Sequence, residues 1–458
     1  MLRKKLRLYY WLVLAFVEKY LLYVAISFFI TSVAIALYIF FSKDIIQILI
    51  TDVHTVGMRG AYTLDNLPPE IMRELTIPLF SQKPDGAYES KIVKSYSHDK
   101  TFLKFEIEIL HDLIFTDKSP FTSKDIEFAF KDVKVSRPDN YKILYELQKP
   151  FPPFLSYLNK PVFSTNPFRG IMGDYIITQA KYAANNDRLE RVVLSPLVVN
   201  KPKLVFRFYR TDADLVTAYK LHEIDEFSTT GSVALDTFKS WTDTTVTKTS
   251  DYSRLLTLFF NLDQPLLKEK DTRLALFGSI PVKLLEAAGN IAVSPVSPLS
   301  PNYDPSIPRI AENPEVNRNI LKRFFSQASE SAKMKLSTSI EFINLAHAIK
   351  DVIDSAGGNC VIDIEGLQQG ERSDMTLGMW NIPADVNQYF VWHSSQKSRS
   401  NITQYENQKV DKLLEDFRAT DSATLQHKLL VDFQKKIVED SPAVFLYYPH
   451  IFTITRKK

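Results

Sequence analysis

From Tyr20 to Phe41 the chain runs for 22 residues, YLLYVAISFFITSVAIALYIFF, without a charged side chain. As a helix, such a run is long enough to cross a hydrocarbon core of about 30 Å, and it lacks the polar stripe of an ordinary core helix. Arg3, Lys4, Lys5, Arg7 and Lys19 precede it, whereas only Lys43, offset by Asp44, follows closely. The positive-inside rule therefore predicts a cytoplasmic basic segment over 1–19, a single-pass anchor over 20–42, and a main body on the extracellular or periplasmic face of the cell membrane. A cleaved signal peptide fits less well, because the run is too long and Tyr38-Ile39-Phe40-Phe41-Ser42 offers no small-residue cleavage site. No Cys follows closely to carry a lipid. Leu8–Val17 is also apolar but short, and Lys43–Ile50 stays apolar at Ile45, Ile46, Ile48, Leu49 and Ile50.

Beyond the anchor the pattern changes to short alternations and helical repeats. Pro69–Phe80 begins a helix with Ile71, Leu75 and Leu79 on one face. Thr101–Leu110 (TFLKFEIEIL) alternates apolar and polar positions, the pattern of a half-buried strand. Thr122 or Ser123 is placed to cap a helix running through Ile126 and Phe130. Tyr141–Leu147, Leu189–Leu194 and Lys203–Phe208 read as strands, and Leu255–Phe260 (LLTLFF) as a strand buried on both faces. Ser294–Pro308 holds five prolines and reads as an extended loop. Met334–Ile340, Glu341–Ser355 and Cys360–Glu365 follow in strand–helix–strand order, which predicts a parallel pair. Asn407–Phe417 and a helix capped by Asp421 precede Pro442, after which Ala443–Tyr448 and Phe452–Arg456 read as two strands. The class is α/β.

Composition narrows the function. The 458 residues leave room for two or three domains, and a formal net charge of +3, small for this size, indicates neither a nucleic-acid-binding surface nor an acidic tail. The single Cys360 cannot form an internal disulfide, so an exported body must rely on its core. His111, His393 and His450 lack metal-ligand spacing. Asp112, Asp117 and Asp125 are better explained by turns and caps than by acid–base chemistry, and no G-x-S-x-G elbow is present. These absences predict no enzyme activity, no metal and no cofactor. Asn401-Ile402-Thr403 matches a glycosylation acceptor in a predicted turn.

Several pieces resemble, in order, the large extracellular solute-binding proteins of ABC transporters, the oligopeptide, dipeptide and nickel group (family 5). Phe115-Thr116-Asp117-Lys118-Ser119-Pro120 resembles the F-[ST]-DG-x-P turn, with Lys118 at the glycine, and Thr122–Ile126 the helix start that follows. Gly173-Asp174-Tyr175 resembles G-P-Y, and Leu221-His222-Glu223-Ile224-Asp225 resembles S-G-E-I-D. Phe260-Asn261 with Arg273-Leu274-Ala275-Leu276 resembles F-N…R-x-A-L. Tyr405–Leu414 resembles Y-x-N-x-x-V-D-x-L-L, and Ile437–Tyr448 the closing helix and strand. The resemblance covers Thr101–Tyr448. It implies a two-lobed periplasmic-binding-protein-like fold: a first lobe over 43–255 with an inserted subdomain at about 81–165, a second lobe over 256–440, and C-terminal strands over 441–458 returning to the first lobe.

It also implies a membrane-anchored receptor that captures a peptide-like ligand between its lobes and delivers it to an ABC importer. The partners are then a peptide or other small molecule, the permease subunits, and membrane lipid through the N-terminal helix. The alternative is a sensor or interaction protein that retains the fold without transport. In peptide binders of this group a Trp-x-x-Asp-Tyr segment pairs a carboxylate with the ligand amine. Here the segment reads Trp380-Asn381-Ile382-Pro383-Ala384-Asp385, with Pro383 at the acidic position. Trp380, Asn381 and Asp385 are the expected ligand-binding residues, and a free α-amine is not the expected anchor.

Overall fold

The computed structural model describes residues 2–50, 52–83, 88–128, 130, 132–163, 170–185, 187–230, 232–308, 313–327, 333–364, 373–383 and 387–457. The chain begins with a helix, Leu2–Ile50, interrupted at Tyr20, whose φ of −113° and ψ of 15° are not helical. Apolar side chains from Leu8 to Ile35 are exposed along it. Among the described residues no single helix is long and apolar enough to cross a membrane. The pair Arg7–Phe16 and Glu18–Val33, bent by 46°, meets length and composition together. The single anchor expected over 20–42 is therefore not shown: the bend falls at Val17, before that stretch, and the described part of the helix after it reaches the length and composition of a span only together with Arg7–Phe16. The side chains of 36–50 lie outside the described residues.

The body is built on one long mixed sheet and one small antiparallel sheet. The long sheet runs Asn359–Ile364, Lys333–Thr338, Met375–Asn381, Arg254–Phe260, Ala443–Arg456, Glu226–Thr229, Val53–Arg59, Lys203–Tyr209, Leu189–Pro196, Tyr175–Tyr182. Lys333–Thr338 and Asn359–Ile364 pair in parallel through the helix Ile343–Ser355, as their order requires. Leu255 to Phe260 are all buried, as the unbroken apolar run predicts for a central strand. The small sheet has the order Val93–His98, Lys104–Ile109, Lys142–Leu147, Val133–Asp139. Phe105, Ile107 and Ile109 alternate into its core with Ile143, Tyr145 and Phe154.

The two C-terminal strands expected from the sequence are one strand, Ala443–Arg456. Its first half pairs with Arg254–Phe260 and its second half with Glu226–Thr229 and Thr244–Ser250. Pro449 lies at the changeover, opposite Gly289 in the register of a short flanking strand, and its carbonyl accepts from Asp251 N at 3.0 Å. The single strand therefore threads both halves of the long sheet. A second difference concerns Thr122. It caps only one 3-10 turn, Ser123–Asp125, not a helix to Phe130. Arg137 takes the Ser123 and Ile126 carbonyl oxygens at 2.9 and 2.7 Å, occupying acceptors that a longer helix would need.

Candidate functional site

An open cleft of about 970 Å³ separates the small sheet from the Arg254–Phe260 half of the body. One wall carries Tyr88, Tyr96, His98, Phe102, Phe105, Pro152, Pro153 and Leu155. The other carries Ser297 and Leu299 to Asn302 of the proline-rich loop, Ile382, Pro383, Phe417, and Asp421 with Ala423, Thr424, Gln426 and His427 at a helix start; Tyr252 and Ser253 also line the cleft. A second void, about 20 Å³ among Phe277, Ala292, Val438 and Phe445, holds no more than a water.

The aromatic wall is positioned by a tight turn. Asp99 Oδ1 accepts from Leu103 N at 2.9 Å and Lys104 N at 3.1 Å, and Asp99 Oδ2 accepts from the Thr101 hydroxyl. The Thr101 hydrogen bond, followed by these backbone N–H groups, holds the Asp99 carboxyl below the usual carboxylate range. The turn fixes Phe102 with φ of +53°, a left-handed backbone that a bulky side chain rarely adopts. The Phe102 ring then stacks on His98 with centroids 4.5 Å apart and planes at 26°.

The opposite wall depends on Trp380 indirectly. The strand Met375–Asn381 buries one edge of the indole against Phe259, and Nε1–H donates to the buried Thr257 Oγ1 at 3.0 Å. Trp380 thus spends its one donor on the sheet and does not line the cleft. Asn381 is exposed and opposite Arg254 in the strand register. The next two residues, Ile382 and Pro383, do line the cleft, with Ile382 N bonded to Ser253 O at 2.8 Å. Asp385 lies outside the described residues. Among the described lining residues the one carboxylate is Asp421 and the one ammonium Lys83.

Further contacts tie the halves of the body together. Arg59 Nη2 lies 3.4 Å from Glu341 of the other half, while Arg59 Nη1 lies 3.4 Å from Asp212 of its own. Near the small sheet, Asn387 Nδ2 donates to Tyr157 Oη at 3.2 Å. The Arg418 guanidinium lies 4.2 Å from the Tyr389 ring and 5.0 Å from that of Phe151.

His98, Phe102, Tyr252, Phe417 and His427 were not legible as site residues, because they come from four separate segments, none with a local motif. The loop Ser294–Pro308 was legible as a long proline-rich connection, a signal that loops with that length often carry function. Among the described residues no three His, Cys, Asp or Glu side chains are placed to hold a metal. His393 stacks on Tyr389 at 4.1 Å, His111 on Tyr141 at 4.1 Å, and His450 bonds Ser250. Asn401 is buried, and its amide donates to the Trp392, His393 and Tyr405 carbonyls, so it offers no glycosylation acceptor.

No family model matches the chain. The oligopeptide-binding protein AppA of Bacillus subtilis (strain 168) is 26% identical over 221 residues, 42% of this chain and 40% of that relative's length. The match thus spans less than half of that relative. The structure of Bacillus subtilis AppA in complex with a nonapeptide superposes with a TM-score of 0.69, at 17% identity, over 88% of this chain and 94% of that one. That of NikZ from Campylobacter jejuni in complex with Ni(L-His) superposes at 0.69 and 18% identity, over 89% and 94%. The chain is similar to this group at low sequence identity. Its body has the two-lobed α/β fold of these solute-binding proteins, and its similar proteins are binders, not enzymes.

Proposed function

We propose that this protein is a membrane-tethered solute receptor that takes a peptide-like ligand into the cleft between the small sheet and the second lobe, and presents it to an ABC importer. The lobes are 43–255, with 81–165 inserted, and 256–440. The strand crossing at Pro449 connects them and is a natural pivot. The bent apolar helix near the N-terminus supplies the tether. The observation that carries the reading is the cleft itself: its volume lies at the upper end of ordinary ligand sites, its small-sheet wall is mainly apolar and aromatic, and its facing wall offers polar side chains such as Ser297, Ser300, Asn302, Thr424 and Gln426 to a ligand main chain. AppA of Bacillus subtilis was solved with a nonapeptide, which supports a peptide as the ligand class here. Trp380 and Asn381 are proposed to act through the strand that aims Ile382 and Pro383 at the ligand, and Asp385 remains a proposed contact.

Pro383 bears no charge and Asp421 sits on the far helix start, so the ligand's main chain and apolar side chains, not its amine, are the proposed anchors. Melting of the detergent-solubilised full chain with defined peptides tests this. A peptide present at about 100 times its dissociation constant adds roughly 2.7 kcal/mol of stability. Blocking its N-terminus is expected to change affinity by less than about tenfold, or 1.4 kcal/mol. A larger loss, abolished in Asp421→Asn, would show that an amine anchor has moved to Asp421. No shift with any peptide would leave the retained fold serving interaction, not transport.

A further inference from the structure

The strands Leu189–Pro196 and Lys203–Tyr209 are joined by a loop that begins with three apolar residues, Leu197, Val198 and Val199. They are 47%, 45% and 70% exposed. Isolated exposed apolar residues are common, but three in succession at a hairpin tip are a feature that needs a partner. The tip is held in shape: Leu197 N donates to Asp174 O at 2.8 Å, Asn200 turns the chain with φ of +71°, and Lys201 Nζ meets Asp174 Oδ2 at 2.6 Å. That ion pair also neutralises the acid beside the tip.

The position of the tip names the partner. Lys203 leaves the loop opposite Val53 in the parallel register, and its N–H donates to Asp52 O at 2.7 Å. Val53 is itself 47% exposed. The N-terminal helix ends at Ile50, three residues before Val53, a span of at most about 10 Å. The apolar tip is therefore fixed at the root of the apolar helix, whatever direction the helix takes.

We propose that the Leu197–Val199 tip is a second membrane contact, entering the interfacial layer of the bilayer that holds the helix and setting how the body stands over the surface. This rests on the tether described above. A bilayer is the one partner that the helix root keeps continuously within reach, and an uncharged tip enters its interfacial layer without desolvating an ion.

The test uses the full chain in vesicles of phosphatidylcholine and phosphatidylglycerol. Val199→Cys, Leu197→Cys and, on the helix Pro314–Gln327 of the other lobe, the exposed Val316→Cys are each labelled with an environment-sensitive fluorophore. The native Cys360 is buried and its thiol is pushed up to about 11 by burial, so it stays unlabelled. Lipids carrying a spin label near the headgroup are expected to quench the probes at 197 and 199 at least about twofold more than the probe at 316. Equal quenching at all three, with the protein resisting carbonate extraction, would overturn the contact and leave the tether standing. Extraction by carbonate would overturn the tether, and the contact with it.

Discussion

Lys118 and His222 stand where the family motifs carry glycine, and both keep the left-handed backbone that glycine would supply, with φ of +69° and +61°. Lys118 closes the turn in which its N–H meets Phe115 O at 2.9 Å. His222 follows the helix Asp212–Lys220. There His222 N meets Tyr219 O at 3.1 Å and Glu223 N meets Ala218 O at 2.9 Å, the paired bonds of a Schellman cap. The backbone geometry has outlasted the residue best suited to it. A side chain in that region costs about 1–2 kcal/mol, of which glycine's larger unfolded-state entropy takes back a part. Lys118→Gly and His222→Gly are each expected to raise stability by about 0.5–1 kcal/mol in urea denaturation of the solubilised protein. A loss in either would mean that the side chain makes contacts worth more than the strain. Gly173 shows the opposite constraint: a Cβ there would meet Leu75 O at 2.0 Å, so the glycine of the G-D-Y turn is required by close approach.

At the scale of elements, the motifs that revealed the family converge on one knot in the second lobe. Arg273 is buried, and its guanidinium donates to the Leu267, Lys268, Asp440 and Ser441 carbonyls, joining two helix ends. Tyr405 Oη and Asn407 Nδ2 donate to Asp440 Oδ2 at 2.5 and 2.8 Å, while Asn407 Oδ1 caps the helix Gln408–Ala419. Asp411 in turn accepts from Ser394 N at 2.9 Å. Burial works to raise the Asp440 carboxyl, but hydrogen bonds from Tyr405, Lys436 and Asn407 outweigh it and leave its pKa below the ordinary value. A carboxyl depressed in the folded state contributes stability that is present above its unfolded pKa of about 3.9 and is lost as pH falls through the folded value. The wild type should therefore lose stability below about pH 4 more steeply than Asp440→Asn, which should start about 1–3 kcal/mol less stable at neutral pH. Parallel acid curves for the two proteins would contradict this. The knot also explains what was legible. Asn, Tyr, Asp and Arg at fixed spacings leave a pattern because each satisfies specific buried backbone groups. The turn at Thr122 was over-read as a helix because Arg137, eleven residues beyond Ile126, takes its carbonyls, and no local pattern carries that.

At the scale of the molecule, one strand, Ala443–Arg456, links the two lobes, and the cleft opens where the small sheet faces the second lobe. The lining comes from segments near 83–105, 152–156, 252–253, 297–302, 382–383 and 417–427, so it exists only after folding. That is why the fold was readable along the chain while the site was not, and why Trp380, the most conspicuous side chain of its segment, proves to be tied to Thr257. The Arg418 stack on Phe151 joins the same two sides, and the Arg59–Glu341 ion pair joins the long sheet of the first lobe to the second. The central claim is that a ligand occupies this cleft. Native mass spectrometry of the purified full chain tests it most directly, beside Ala423→Trp, which fills the cleft at the exposed start of the helix Ala423–Asp440. The account predicts a retained small molecule on the wild type, released on denaturation, and at least about a tenfold lower occupancy on Ala423→Trp. A wild type that carries nothing, or a retained molecule whose occupancy is equal on both proteins, would contradict it.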